Sequence, residues 1–188
     1  MKNKWSFIGI AVLLAITGLG MACDEADDAN KLVDEANAIV TKSNDSSSKI
    51  TSLYNDLLGD KLVKSADVEK YKVENKGRFD ELIGLIDRDE KDLNDVAAKF
   101  EKASTLKVSD KFKEYTSLSS QQFKKRTENR KAMGIFIKAF LAEKDTTKRN
   151  QLGDEFDKRS AELGKEGDAL SEKADKIVAD NPGEFQSK

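Results

Sequence analysis

The sequence predicts an all-α protein: an elongated, up-down-up-down antiparallel bundle of about four long helices, preceded by a signal peptide. Three observations support this. Apolar residues recur every three or four positions through most of the chain after residue 28. No segment alternates polar and apolar residues like a β-strand. The periodic segments, about 33 to 38 residues each, are joined by links too short for anything but antiparallel neighbours.

The first two dozen residues have the three-part layout of a secretory signal. Lys2 and Lys4 form a positive tip, residues 5–19 are almost wholly apolar, and small or slim residues follow up to Cys23, the only cysteine. A membrane-spanning helix is the alternative, because about 18 apolar residues lie at the lower limit for crossing a bilayer. Glycines at positions 9, 18 and 20 weaken that alternative, since each lowers helix stability.

The stretch ending at Cys23 resembles the lipobox of bacterial lipoprotein precursors, in which a small residue precedes a cysteine that is diacylated and becomes the new N-terminus. Ala22 and Cys23 match this pattern, whereas Gly20 stands where the family usually has leucine, and Leu19 lies one position earlier. The resemblance implies lipidation of Cys23, removal of residues 1–22, and anchoring through acyl chains to the cell membrane or outer membrane on the extracytoplasmic side. Cleavage before Cys23 by an ordinary signal peptidase, which would leave a free thiol, is the further alternative.

Composition excludes several chemistries and partners. Removing residues 1–22 takes away two lysines and no acidic residue, so 31 basic and 35 acidic residues remain, a formal net charge of −4. This balance does not favour nucleic acid as a partner. The absence of histidine removes the imidazole base and ligand, and one cysteine cannot form an internal disulfide or a thiolate metal site. We therefore expect no enzyme activity, metal or cofactor.

The expected body is a helical bundle domain over residues 29–181, after an acidic tether at residues 23–28. The first helix should end near Leu58-Gly59-Asp60, because glycine suits the position after a helix end. Its apolar face steps by three and four with a polar gap at Ser43 and Ser47; the apolar members are Ala29, Val33, Ala36, Val40, Ile50, Tyr54 and Leu57.

The second helix is expected to begin near residues 65–67, with a bend at Gly77. Its buried seam should be Phe79, Leu82, Ile86, Asp89, Leu93, Val96, Phe100 and Ala103. The third follows Ser109 as N-cap, and its buried side should contain Phe112, Tyr115, Met133, Phe136 and Phe140. Residues 132–142, the most apolar part of the mature chain, should lie deepest.

The fourth helix should start after Asp145 or Thr146 and end at Asn181-Pro182-Gly183, leaving residues 182–188 as a disordered tail. Its expected apolar positions are Leu152, Phe156, Leu163, Leu170, Ala174 and Ile177.

Polar residues interrupt three of the seams halfway along their helices, and antiparallel packing would bring these interruptions to one level. They are Ser43, Ser47, Asp89, Gln122, Arg126 and Asn129. The layer could be a pocket for a small ligand or ion, or a buried layer that fixes helix register with Arg126 paired to Asp89. A rotated seam that leaves these groups solvated is the third alternative.

Two charged runs are further candidate sites. Residues 87–92, DRDEKD, lack the glycine and tight loop of an EF-hand, so we expect a solvated helix face. Residues 123–131, FKKRTENRK, contain five basic residues that could receive an anionic lipid, a glycan or a protein, although most such runs are solvated helix surface.

These observations favour a lipid-anchored envelope protein that acts as a helical scaffold or interaction module with an envelope protein partner. The alternative is a carrier that holds a lipid or small apolar ligand between its helices.

Overall fold

The computed structural model describes residues 25–58 and 68–185. The predicted signal peptide and Cys23 lie outside the described residues. Six helices occur in the described part of the chain: α1 (Ala26–Leu58), α2 (Val68–Glu74), α3 (Lys76–Ser104), α4 (Asp110–Ala142), α5 (Thr146–Asp180) and α6 (Pro182–Phe185). None of them is long and apolar enough to cross a membrane.

The four long helices form the predicted antiparallel bundle. α1 packs along α3, α3 along α4, and α4 along α5. Side-chain pairs show the direction of each packing, because residue numbers rise along one helix as they fall along its neighbour. The pairs are Glu35 with Lys99 and Asp56 with Arg78 (α1 and α3), Glu101 with Lys124 and Asp87 with Lys138 (α3 and α4), and Lys125 with Glu166 and Glu128 with Arg159 (α4 and α5). At about 1.5 Å per residue, a 33-residue helix makes the bundle roughly 50 Å long.

We call one end of the bundle the near end: it contains Glu25, the α3–α4 loop (residues 105–109) and α6. The Glu25 carboxylate accepts a hydrogen bond from the Lys107 backbone N–H at 2.7 Å, so the start of α1 is fixed to the loop. The far end contains α2 and the α4–α5 link. There the Arg149 guanidinium donates to the carbonyls of Glu143 and Lys144 at 2.8 and 2.7 Å.

The core consists of two apolar clusters, one towards each end. In the near-end cluster, the Phe100 and Phe123 rings stack with centroids 5.7 Å apart, and it includes Val33, Ala36, Leu93, Val96, Phe112, Tyr115, Ala174 and Ile177. In the far-end cluster, Phe136 and Phe156 stack at 4.8 Å, and it includes Ile50, Leu57, Phe79, Leu82, Ile86, Met133 and Ile137. The middle of the bundle between them is polar.

Two predicted helix starts are confirmed by their caps. The Ser109 hydroxyl accepts from the Phe112 N–H at 3.2 Å, and the Asp145 carboxylate accepts from the Lys148 N–H at 3.0 Å. Each cap satisfies an N–H group that has no partner within the first helical turn.

Four local predictions need correction. α1 begins at Ala26, so helix already occupies part of the predicted tether. The second helical segment is interrupted at Asn75, between α2 and α3, rather than at Gly77. The predicted tail begins with α6, because the buried Phe185 ring packs against Tyr115 with centroids 5.5 Å apart. Within residues 132–142, Ile135 is 60% exposed, because it lies on the outer face of α4.

Candidate functional site

The predicted polar layer exists in the middle of the bundle, but it is divided into two parts. The first is a closed network of Ser43, Ser47, Asp89 and Arg130, all buried. Asp89 is fully buried and accepts from the Ser43 hydroxyl at 2.5 Å and from Arg130 Nε at 2.5 Å. Arg130 Nη2 donates to the Ser47 hydroxyl oxygen at 2.7 Å, and that hydroxyl in turn donates at 3.5 Å to Asp89 Oδ2, the oxygen that also accepts from Arg130 Nε, whereas Ser43 donates to Oδ1.

This closed network compensates the cost of burying two charges. Burying an isolated charge is strongly unfavourable, and a buried ion pair is tolerated when its remaining donors and acceptors are bonded as well. Ser43 and Ser47, one turn apart on α1, supply those bonds from a third helix. The network therefore joins α1, α3 and α4 at one axial position, which fixes their register.

The predicted pairing of Asp89 with Arg126 is wrong by one helical turn. The ion pair of Asp89 is with Arg130, four residues further along α4. The Arg126 guanidinium instead lies over the Phe123 ring, 5.1 Å from its centroid, and the side chain is partly exposed. Because helices α3 and α4 are antiparallel, a shift of one turn on α4 is enough to decide which arginine lies opposite Asp89.

Sequence reasoning missed Arg130, although a signal for it was present. Phe123, Arg130, Met133 and Ile137 are separated by seven, three and four residues, which is the spacing of a buried helix face. The sequence analysis instead places Arg130 in the basic run at residues 123–131, and most such runs are solvated helix surface.

The second part of the layer is an open pocket between α1, α4 and α5, with a volume of about 60 Å³. Polar side chains dominate its lining: Asn37 from α1; Ser119, Gln122 and Arg126 from α4; and Ser171 and Asp175 from α5. Val40, Phe100, Tyr115, Phe123 and Ala174 of the near-end cluster complete the wall. The pocket lies between α1 and α5, which do not pack along each other as α1 packs along α3 and as α4 packs along α5.

Three of the predicted layer residues are outside the closed network. Gln122 and Arg126 line the pocket and form no hydrogen bond with any described residue. Asn129 lines neither part of the layer, and its buried Oδ1 has no hydrogen-bond partner within residues 25–58 and 68–185. Such buried orphan acceptors are uncommon in folded proteins.

Burial shifts the acid–base properties of three pocket residues. It raises the pKa of Asp175 above its ordinary value of 3.8. It also raises the pKa of Tyr115 to about 12, an effect that the Asp175 charge strengthens and a hydrogen bond with Ser119 opposes. Burial, and then the neighbouring Arg130 charge, lower the pKa of Arg126, although a guanidinium stays protonated in proteins. The pocket therefore holds one cation and one carboxylate whose charged forms are both penalised.

The two charged runs do not form separate sites. Asp89 of residues 87–92 is buried in the closed network, and no group of three metal-ligating side chains occurs in the part of the chain that the structure describes. In the basic run, Lys124 pairs with Glu101 at 2.9 Å and Lys125 with Glu166 at 2.9 Å. Arg126 and Arg130 of the same run belong to the polar layer, so the run is not one solvated surface.

Comparison of the chain with protein-family models, with curated proteins and with solved structures finds no match.

Proposed function

We propose that the mature chain, beginning at Cys23, is a lipid-anchored envelope lipoprotein that acts as a helical scaffold or protein-interaction module. The leader and the lipobox resemblance at Ala22-Cys23 support the anchor. Acyl chains contribute about 0.8 kcal/mol per buried CH₂ group, so two or three chains would make the attachment effectively permanent.

One structural observation carries the proposal. Helix α1 begins at Ala26, and the Glu25 carboxylate is bonded to the α3–α4 loop, so only two residues separate Cys23 from the helix. Since one residue spans at most about 3.6 Å, an acylated Cys23 would hold the near end of the bundle within roughly 10 Å of the bilayer surface. The far end would then lie roughly 50 Å from the bilayer surface. That distance suits a protein that spaces a partner from the membrane or binds one there.

The exposed apolar side chains agree with a partner at the outer part of the molecule. Val73 of α2 is 77% exposed and Ile135 of α4 is 60% exposed. Single exposed apolar residues are common on protein surfaces, so they indicate positions to test rather than a defined interface. The carrier alternative is less well supported, because the pocket between α1, α4 and α5 is small and lined mainly by polar side chains. A larger cavity of about 530 Å³ between α4 and α5 has only Leu118 and Ile177 as apolar residues among lysine, acidic and amide side chains.

The anchor is tested by labelling cells with a radioactive fatty acid. Cys23→Ser should abolish labelling and leave unprocessed precursor or a released soluble form, whereas Ser48→Ala, an exposed substitution in α1, should be labelled like the parent. Equal labelling of Cys23→Ser and the parent would disprove lipidation. An unlabelled parent that is released after cleavage would indicate ordinary secretion.

The interaction role is tested with a photo-crosslinking amino acid at Val73 in cells. A defined crosslinked species that is absent when the probe is placed at the near-end residue Lys107 would support a partner at the far end. Identical crosslinks from both positions would contradict a far-end partner.

A further inference from the structure

The pocket between α1, α4 and α5 contains two opposite charges that do not neutralise each other. Arg126 and Asp175 both line it, yet neither is in direct ion-pair contact with the other or with any other described residue; Asp89 and Asp168 attract Arg126 only without such contact. In the adjoining closed network, by contrast, every charge is paired. A charged group with restricted access to water is unfavourable unless an opposite charge or hydrogen bonds compensate it.

The other polar groups of the pocket are also available for hydrogen bonds. Gln122 and Ser171 form none with any described residue, and their side chains come from α4 and α5, the same two helices that supply the charges. Gln122, Arg126, Ser171 and Asp175 are each partly exposed, so the pocket is accessible from solvent. A concave site with a few convergent, unused polar groups is typical of small-molecule binding.

We propose that this pocket binds a small zwitterionic solute, with the carboxylate of the solute on Arg126 and its ammonium group on Asp175. The guanidinium offers a planar pair of donors that matches a carboxylate, and the Asp175 carboxylate accepts from an ammonium group. Gln122 and Ser171 can each donate to or accept from either end of the ligand.

The charge of the pocket selects a zwitterion over a simple ion. One cation and one carboxylate line it, so an anion alone would leave Asp175 unpaired, and a cation alone would leave Arg126 unpaired. A ligand with both charges pairs both groups and adds no net charge to a partly buried site.

The volume limits the size of the ligand. About 60 Å³ corresponds to roughly four to six water molecules at about 10–15 Å³ each. Glycine, with five non-hydrogen atoms, is therefore a suitable probe, and larger zwitterions would have to extend into solvent along the groove between α1 and α5.

The proposal is tested by calorimetric titration of the purified full-length chain with glycine, acetate and methylammonium as three separate probes. Glycine should bind at least about tenfold more tightly than either half-ligand, because each charge-assisted hydrogen bond contributes about that factor or more. Arg126→Gln and Asp175→Asn should each weaken glycine binding by about tenfold or more. Arg88→Gln and Asp34→Asn, matched substitutions at exposed positions, should leave it unchanged.

Three outcomes would overturn the proposal: no binding of glycine, which would mean that the pocket holds water only; acetate binding as tightly as glycine; or glycine binding that both pocket variants retain. If Arg126→Gln fails to fold, Asp175→Asn alone decides, since Asp175 is partly exposed and makes no ion pair or hydrogen bond with the described residues. Because the anchor is tested by labelling of Cys23, failure of either proposal leaves the other intact.

Discussion

Two arginines one turn apart on α4 have opposite surroundings. Arg130 is 5% exposed and bonded to Asp89 of α3 and Ser47 of α1. Arg126 is partly exposed, lies over the Phe123 ring and lines a pocket without an ion pair to any described residue. The first arginine is part of the structural framework, and the second is available to a ligand.

The difference follows from helix spacing. Arg130 faces α3, which packs along both α1 and α4, and Asp89 of α3 and Ser47 of α1 lie within hydrogen-bond distance of its guanidinium. Arg126 faces the gap between α1 and α5, and no described side chain of these helices forms a hydrogen bond or ion pair with the guanidinium, although Asp168 of α5 attracts it without such contact. Two arginines one turn apart on α4 therefore differ because Arg130 faces α3 and Arg126 faces the gap between α1 and α5.

The largest expected effect comes from opening the closed network. Asp89→Ala and Arg130→Ala should each lower the free energy of unfolding by about 3 to 5 kcal/mol, because each leaves its partner buried and uncompensated. The double variant should cost less than the sum of the single variants. Urea unfolding measures all three. Single variants within about 0.5 kcal/mol of the parent would show that Asp89 and Arg130 are solvated.

A smaller loss is expected when only the serine contribution is removed. Ser47→Ala deletes the acceptor of a charge-assisted hydrogen bond from Arg130 and should cost about 1.5 to 3 kcal/mol. The adjacent Ser48, which is exposed and bonds only the Asn44 carbonyl one turn earlier, provides the control. Ser48→Ala should change stability by no more than about 0.5 kcal/mol in the same urea experiment. Equal effects of the two variants would argue against a buried network.

The comparison predicts a much weaker effect at the second arginine. Arg126→Ala removes a cation–π contact of about 0.5 to 1 kcal/mol. It also removes both the repulsion from Arg130 and the attraction from Asp89 and Asp168, which oppose each other. Its free energy of unfolding should therefore stay within about 1 kcal/mol of the parent. A loss as large as that of Arg130→Ala would mean that Arg126 belongs to the structural network after all.

The smallest effect concerns the pH dependence contributed by Asp175. Burial raises the pKa of this carboxyl in the folded chain above its ordinary value of 3.8, so the folded state binds the proton more tightly than the unfolded state. The carboxyl therefore lowers stability as the pH rises above 3.8 through the folded pKa, and the full penalty is present at neutral pH.

Asp175→Asn should accordingly be slightly more stable than the parent at neutral pH, with a difference that disappears in acid below the ordinary pKa. Urea midpoints measured across this range, with Asp34→Asn as the exposed control, check the sign. A variant that is less stable than the parent at neutral pH would show that the ionised carboxylate is favourable in the fold.

Local signals were sufficient to predict most of the helical architecture. The three- and four-residue spacing of apolar side chains placed Phe79, Ile86 and Phe100 on the buried face of α3, and the caps Ser109 and Asp145 marked helix starts. The end of the chain was predicted less well. Phe185 is buried because the Tyr115 ring, 70 residues earlier in the sequence, is beside it, and no local pattern encodes that contact.

The candidate site was predicted in outline only. Antiparallel packing predicted that the site lies halfway along the bundle, and Ser43, Ser47 and Asp89 do contact one another at that position. Asp175 could not be predicted, because it stands next to the buried Ala174 within an otherwise ordinary charged helix, and its place in the pocket depends on the distance between α1 and α5.

The sequence by itself therefore determined the long helices, their N-caps and the seam position of Asp89, because these depend on side-chain periodicity and on hydrogen bonds within three or four residues. Only the tertiary structure decided that Arg130 rather than Arg126 is the partner of Asp89, and that a polar pocket opens between α1 and α5. Both depend on the axial offset and separation of helices far apart in sequence, and an offset of one turn, about 5.4 Å, exchanges one arginine for the other.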